Sequence, residues 1–269
     1  MMNQSTQFSR SVSARFSAAA NTYHEESNLQ REVAGRLAAR MMPAADEIDR
    51  ILEIGCGTGF LTELLLTRFP AALIHALDIA GPMIDLARER IGANGRMCWH
   101  VADARQFRTE SNFPLIASSS ALHWMTPISE TVKRLAGMLT PGGELVSALM
   151  VKGTCEELHS ARAELFPDKT GPVCLPKAEE VLEAIASAGL WIESDSQEVI
   201  REHYDSACKF LGSLNRQGVT GVANTGCSLL NRSELRKLIE YYDQRFADPV
   251  GGVFASYRIL YVKARKAAS

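Results

Sequence analysis

The run RILEIGCGTGFLTELLLTRF, beginning at Arg50, restricts the possible folds more than any other stretch of the chain. A short apolar run passes through Gly55, Gly57 and Gly59 directly into an apolar-periodic segment that Pro70 stops, which predicts a strand, a tight turn and a helix. A strand that turns on glycine into a helix is the first unit of a parallel sheet. The alternation then repeats. ALIHALDI reads as a second strand, PMIDLARERI as a helix with Pro82 in its first turn, MCWHVAD as a third strand and LIASS as a fourth. TVKRLAGMLTPGG predicts a helix ending in a proline-glycine-glycine turn before a fifth strand, ELVSALM. After Val151 the rhythm loosens. KAEEVLEAIASAG predicts a helix leading into a sixth strand, LWIESDSQEVI; Tyr204 to Phe246 is mostly helical, and GGVFASYRILYVKARK closes as a long alternating strand. The expected fold is α/β, with a doubly wound sheet.

Composition narrows the partners. With 29 Lys and Arg against 31 Asp and Glu, a net charge of −2 over 269 residues offers no whole-molecule field for nucleic acid or a membrane surface. Six cysteines, Cys56, Cys98, Cys155, Cys174, Cys208 and Cys227, have neither zinc-knuckle nor redox-pair spacing, so no metal site is expected and reduced thiols in the cytoplasm fit. No apolar run approaches the roughly 18 residues of a membrane span. The first 24 residues contain Arg10 and Arg15 and no acid, a transit-peptide composition. Apolar residues at helical spacing nevertheless run on through FSAAANTYHEESNLQREVAGRLAARM, which predicts a structural helix pair.

The glycine turn sits where open parallel sheets bind ligands, at the carboxyl end of a strand. Alone it is unselective. Phe60 stands where a dinucleotide fingerprint places its third glycine, which tilts the reading away from NAD. Asp78 follows the second strand, where a carboxylate accepts hydrogen bonds from both ribose hydroxyls of an adenosine ligand. Asp103 follows the third strand in VADA, where it can accept from an adenine amino group while the Ala104 backbone meets the ring. Each acid has a plain alternative, a solvated loop acid for Asp78 and a helix cap for Asp103. Three sites on three successive strand ends are more specific than one.

LEIGCGTGFLTELL, ALDIAGPMI, VADA, LIASSSALHW and LTPGGEL stand in the order and approximate spacing of the class I S-adenosylmethionine-dependent methyltransferase motifs, and the chain resembles that family. RFSAAANTYHEESNLQ, ASSSALHW and HYDSACKFLGSLNRQGVTG narrow the resemblance to the malonyl-acyl-carrier-protein O-methyltransferases of biotin synthesis. The resemblance implies a Rossmann-like, seven-stranded, mostly parallel sheet with helices on both faces and a helical cap, its last strand antiparallel between the fifth and sixth. It implies one domain, with a lid over 1–45, a cofactor core over 46–151, a connecting helix and strand over 152–203, a cap insertion over 204–247 and a final strand over 248–269.

The resemblance also implies roles. Tyr23 and Gln30 would contact S-adenosylmethionine from the lid; Glu53, Gly55, Gly57 and Gly59 would hold its methionine end; Asp78, Ile79, Met83, Asp103 and Ala104 would hold adenosine. Ser119 and Leu122 would face the methyl group, and Tyr23, His123 and Trp124 would line the reacting pocket. His123 departs from a family glutamine, and Pro114 from a family aspartate. A lone histidine is more often a satisfied hydrogen-bonding residue than a catalyst. The implied substrate is a malonyl thioester on acyl-carrier protein or CoA, handled by a monomer. An acidic carrier would meet a basic surface, with Lys152, Lys209 and Arg216 expected foremost and Arg162, Lys169 and Arg201 as further candidates. Other readings are a methyltransferase for another small carboxylate of the trans-aconitate type, a non-catalytic nucleotide-binding module and an NAD-dependent oxidoreductase. A native-state ligand raises the melting temperature by mass action. S-adenosylhomocysteine is therefore expected to raise the Tm and NADH to leave it unchanged in a thermal-shift measurement.

Overall fold

The computed structural model describes residues 4–41, 48–169, 175–220 and 229–268. Cys174 and Cys227 lie outside the described residues. The chain opens with helices α1 (Gln4–Glu26) and α2 (Asn28–Arg40), the expected pair. Strands β1 (Arg50–Ile54), β2 (Leu73–Asp78) and β3 (Met97–Val101) then alternate with helices α3 (Phe60–Arg68) and α4 (Gly81–Ile91). Strand β4 (Phe113–Ser119), a short 3-10 turn over Leu122–Trp124, helix α5 (Ile128–Met138) and strand β5 (Leu139–Met150) follow. Helices α6 (Glu156–Leu165) and α7 (Ala178–Ser187) precede strand β6 (Leu190–Tyr204), helices α8 (Ala207–Arg216) and α9 (Arg232–Arg245), and strand β7 (Val253–Lys266).

The seven strands form one sheet in the order β3-β2-β1-β4-β5-β7-β6. The first five strands run parallel, and β7 pairs antiparallel with both β5 and β6. Chain order reverses between β1 and β4, which opens the ligand crevice of a doubly wound sheet beyond their carboxyl ends. Successive residues point to opposite faces, so adjacent apolar residues feed two cores. Ile51, Ile74, Leu115 and Val146 pack with α2, α3, α6, α8 and α9, whereas Leu52, Leu77, Ile116 and Leu145 pack with α5 and α7.

Three boundaries differ from the sequence reading. Helix α5 ends at Met138, and the Pro141-Gly142-Gly143 segment lies within the span of β5 as an irregularity, because pairing shifts from Phe113↔Leu139 to Leu115↔Glu144. Gly142 has φ +74, and a Cβ on Gly143 would come within 2.9 Å of the Thr140 carbonyl, so this bulge tolerates only glycine there. Strand β6 continues past Ile200 to Tyr204 because it pairs with β7 along its length, although most of its side chains are exposed. Helix α6 was hidden in the loosened rhythm because it buries only Leu158 and Ala161, too narrow a stripe for periodicity to reveal.

The helices after β6 share the sheet's core. Phe210 of α8 and Tyr242 of α9 are fully buried, their ring centroids 5.4 Å apart, in the same cluster as Ile51 and Tyr261. Truncating Phe210→Ala is expected to cost about 3–5 kcal/mol. Urea unfolding followed by circular dichroism and by tryptophan fluorescence should show one coincident transition at a lower midpoint.

Candidate active site

The crevice is built from the strand ends inward. The Gly55 and Cys56 N–H groups both donate to the Leu77 carbonyl, at 2.7 and 3.0 Å, which ties the turn after β1 to β2. Asp78 completes the tie: its carboxylate accepts from the Gly57 N–H and the Ala80 N–H, each at 2.9 Å. Burial raises the Asp78 pKa above the usual carboxylate value, against the opposing pull of those backbone donors. A Cβ on Gly55 would lie 2.2 Å from the Cβ of Ala121, so the loop after β4 crosses the turn at a distance only glycine permits.

Helix α1 lies over this floor. Ser13 donates to the Ile79 carbonyl at 3.1 Å, and His24 Nδ1 lies 3.0 Å from Thr58 Oγ1 of the glycine turn. Phe16 meets Tyr23 and Trp124 edge-on, with centroid separations of 6.0 and 5.7 Å, and so fixes an aromatic wall. Between lid and floor lies an open cleft of about 680 Å3, lined by Tyr23, Gly55, Gly57, Asp78, Ile79, Met83, Asp103, Ala104, Ser119 and Trp124 among others.

A smaller recess of about 300 Å3 lies under the lid, bounded by Tyr23, Gln30, Glu53, Gly55, Thr58 and Ser119. Glu53 is 1 % exposed and accepts a hydrogen bond from Thr62 Oγ1 at 2.7 Å. Burial, augmented by the nearby Asp78 charge, pushes its pKa to about 8. Gln30 donates to Gln217 Oε1 at 3.1 Å, while its own buried Oε1 and the Ser119 and Ser120 hydroxyls have no protein partner. Buried polar atoms are normally paired, so a cluster of unpaired ones beside a buried acid is a place prepared for a polar, cationic ligand.

Other residues singled out from sequence stand differently. Asp103 lines the cleft, but its carboxylate is bound by Arg105, with Nη2 at 2.7 Å and Nε at 3.1 Å. His123 is 2 % exposed and absent from the cleft wall; its Nδ1 faces the Met150 N–H at 3.4 Å, and burial lowers its pKa to about 3. Its expected place in the reacting pocket is therefore corrected: it is a neutral ring behind Trp124. Leu122 is likewise turned into the core beneath the sheet, and Gly59 packs against Ile91 at the start of α3.

The expected basic surface also needs correction. Arg216 binds both oxygens of Glu26, at 2.6 and 3.2 Å, which joins α8 to the end of α1. Lys169 pairs with Glu234 at 2.6 Å, and Arg201 lies over Phe254 at 4.8 Å. The Lys152 and Lys209 side chains are exposed. Among the described residues, no group of three or more His, Cys, Asp or Glu is placed to hold a metal ion, and no helix is long and apolar enough to cross a membrane.

Comparison with known proteins agrees with this geometry. A family model described as "Methyltransferase domain" matches residues 51–143. The chain is 30% identical over 255 residues to malonyl-[acyl-carrier protein] O-methyltransferase of Anoxybacillus flavithermus, spanning 92% of this chain and 94% of that protein. The chain belongs to the malonyl-[acyl-carrier protein] O-methyltransferase family. Another relative, the biotin biosynthesis bifunctional protein BioCD of Bordetella avium, is 31% identical over 96% of this chain, which covers 52% of that longer protein. In fold, the chain is similar to a putative methyltransferase from Bacillus halodurans, with a TM-score of 0.63, 15% identity, and coverage of 88% of this chain and 99% of that one. It is also similar to the N-methyltransferase NodS of Bradyrhizobium japonicum solved with S-adenosyl-L-homocysteine, with a TM-score of 0.51, 19% identity, and coverage of 88% and 86%.

Sequence reasoning missed Phe16, Arg105 and Ser120, all on the cleft wall. Phe16 stood within a motif already noted, seven residues before Tyr23, two helical turns along the same face. Ser120 likewise stood within ASSSALHW, beside Ser119, whereas nothing in the sequence marked Arg105. His123 generates a pH prediction. Its folded pKa of about 3 lies below the unfolded value of about 6.5, so the unfolded chain takes the proton first. Its contribution is intact above about pH 6.5 and is lost progressively as pH falls toward 3. His123→Gln is expected to lose about 2 kcal/mol less stability than the parent between about pH 7 and pH 5, read from urea midpoints.

Proposed function

We propose that the cleft transfers a methyl group from S-adenosyl-L-methionine to the free carboxylate of a malonyl thioester on acyl-carrier protein, yielding the malonyl methyl ester that begins the pimeloyl chain of biotin. The carrying observation is that likeness to the malonyl-[acyl-carrier protein] enzyme of Anoxybacillus flavithermus spans 92% of the chain, well beyond the general methyltransferase match at 51–143. The trans-aconitate alternative is not favoured by these relatives. The setting that fits is a cytoplasmic monomer.

The residues present suit the cofactor. Gln30 Oε1, the Ser119 hydroxyl and the buried Glu53 carboxyl offer acceptors and a countercharge for an amino-acid end, and Asp78, Ile79, Met83, Asp103 and Ala104 surround the space for a nucleoside. Bound there, S-adenosylmethionine supplies an electrophilic methyl group on a sulfonium. A malonyl carboxylate with a pKa near 4 is already ionised at neutral pH, so no general base is needed, and His123 need not be one. The protein's contribution is alignment and exclusion of water.

Tyr23 and Trp124 do that alignment. Burial pushes the Tyr23 phenol above its usual pKa of 10, so it remains a hydrogen-bond donor at neutral pH. Trp124, whose indole N–H only donates, is held by Phe16 on the same wall. Both can orient an anionic oxygen without protonating it. Among the described cleft-lining residues the one cation, Arg105, is bound to Asp103. The malonyl carboxylate therefore meets no uncompensated cation on the cleft wall, and methyl transfer removes a positive and a negative charge together.

The test is mass spectrometry of malonyl-acyl-carrier protein, malonyl-CoA and free small diacids and triacids incubated with the enzyme and S-adenosylmethionine. One added methyl on the carrier-borne malonyl group is expected. Methylation confined to free acids would overturn the reading. Tyr23→Phe should lower kcat/KM for the carrier substrate by roughly ten- to a hundredfold, the loss of one hydrogen bond to a charged group.

A further inference from the structure

Arg105 follows the VADA segment, and its side chain folds back onto Asp103. Oδ1 of Asp103 accepts both the Arg105 backbone N–H, at 2.9 Å, and Nε, at 3.1 Å, while Oδ2 accepts Nη2 at 2.7 Å. The Asp103 carbonyl accepts the Gln106 and Phe107 N–H groups at 2.8 and 2.9 Å, so the backbone beneath the carboxylate is held as well. A carboxylate has about four lone-pair sites. Arg105 occupies three of them, which leaves one on Oδ2. The side chains are only 14% and 13% exposed, and both residues line the cleft. Through Nη1 the same guanidinium donates to the Thr126 carbonyl at 3.0 Å, two residues beyond Trp124.

We propose that Arg105 is a positioning residue that fixes the Asp103 carboxylate so that a single acceptor site on Oδ2 faces the nucleobase, making the cofactor site selective for an amino donor at the purine 6-position. The inference rests on the cleft binding S-adenosylmethionine. A 6-amino purine donates to that site; a 6-oxo purine presents a carbonyl there and is repelled by the carboxylate. Without the guanidinium the carboxylate rotates, and its oxygens no longer present one fixed acceptor. The planar fork makes this possible: Nε and Nη2 engage both oxygens at once, which a lysine ammonium cannot reproduce. The Thr126 contact ties the base end of the cleft to the turn carrying Trp124, so the clamp also sets the spacing between adenine and the reacting wall.

The experiment is calorimetric titration of the full chain and its Arg105→Gln and Arg105→Lys variants with S-adenosylhomocysteine and with S-inosylhomocysteine, its 6-oxo counterpart. The parent should prefer the adenosyl ligand. Arg105→Gln should weaken the adenosyl ligand about tenfold and the inosyl ligand less than about twofold, and Arg105→Lys should not restore the preference. In turnover, the KM for S-adenosylmethionine should rise more than kcat falls. Asp103→Asn, with the guanidinium still present, should lose the same preference, and the double variant should lose no more than either single one. This arm decides the matter where Arg105→Gln fails to fold. Equal weakening of both ligands, or an unchanged preference in Asp103→Asn, would overturn the positioning role. Failure of the parent to bind S-adenosylhomocysteine would instead overturn the cofactor reading, and this inference with it.

Discussion

The site depends on one half-buried carboxylate. Asp78 stands at the end of β2 and accepts the Gly57 and Ala80 N–H groups, joining the turn after β1 to the start of α4. A buried carboxylate is costly unless it is hydrogen-bonded, and backbone N–H groups in a glycine turn are costly unless an acceptor is near. Each need answers the other. The turn is thereby held open at the topological switch point, and Ala121 can cross Gly55 at a distance no other residue would allow. The remaining walls of the cleft are attached to this knot: Ser13 of α1 reaches the Ile79 carbonyl next to it, and His24 reaches Thr58 within the turn.

The lid is also tied at its far end. Arg216 and Gln217, at the end of α8, hold the junction of α1 and α2: Arg216 pairs with the Glu26 carboxylate, Gln217 donates to the Glu26 carbonyl at 2.9 Å, and Gln30 donates to Gln217. Thr22 donates to the Arg216 carbonyl at 2.7 Å, one residue before Tyr23. A segment from late in the chain therefore sets the position of a helix from its beginning, and through Gln30 it reaches the wall of the recess without lining it. This explains why Arg216 is spent inside the molecule. Its charge-assisted pairing with Glu26 holds the lid, whereas the exposed Lys209 on the same helix remains on the surface.

Legibility followed the range of the interaction. Strand-helix alternation, the glycine turn and Pro82 at the start of α4 are local features, and each stood at the position read from sequence. The antiparallel insertion of β7 came from family likeness, since periodicity carries no strand order. His123 was misplaced because a one-turn 3-10 segment sends Leu122 and His123 inward and Trp124 toward the cleft, and three residues hold no periodicity to read. Arg216 and Arg105 were hidden for a related reason. A surface cation and a clamping cation look alike in sequence; they differ only in whether an acid lies within reach, 190 residues away for Arg216 and two for Arg105.

The acids of the cleft also bear on its ligand. Glu53 is buried and Asp78 half-buried, both are raised above their usual pKa values, and Asp78 raises Glu53 further. Two acids at close quarters cannot both be charged cheaply without a cation between or beside them. A neutral nucleoside would satisfy the ribose and base positions but leave Glu53 protonated near pH 7, its pKa being about 8. A ligand carrying a positive amino group toward Glu53 lets that carboxyl ionise, and Gln30 Oε1 and the Ser119 hydroxyl, which stand unpaired around the recess, can accept from that amino group. The recess therefore favours an amino-acid conjugate of adenosine over adenosine itself, on charge as much as on shape.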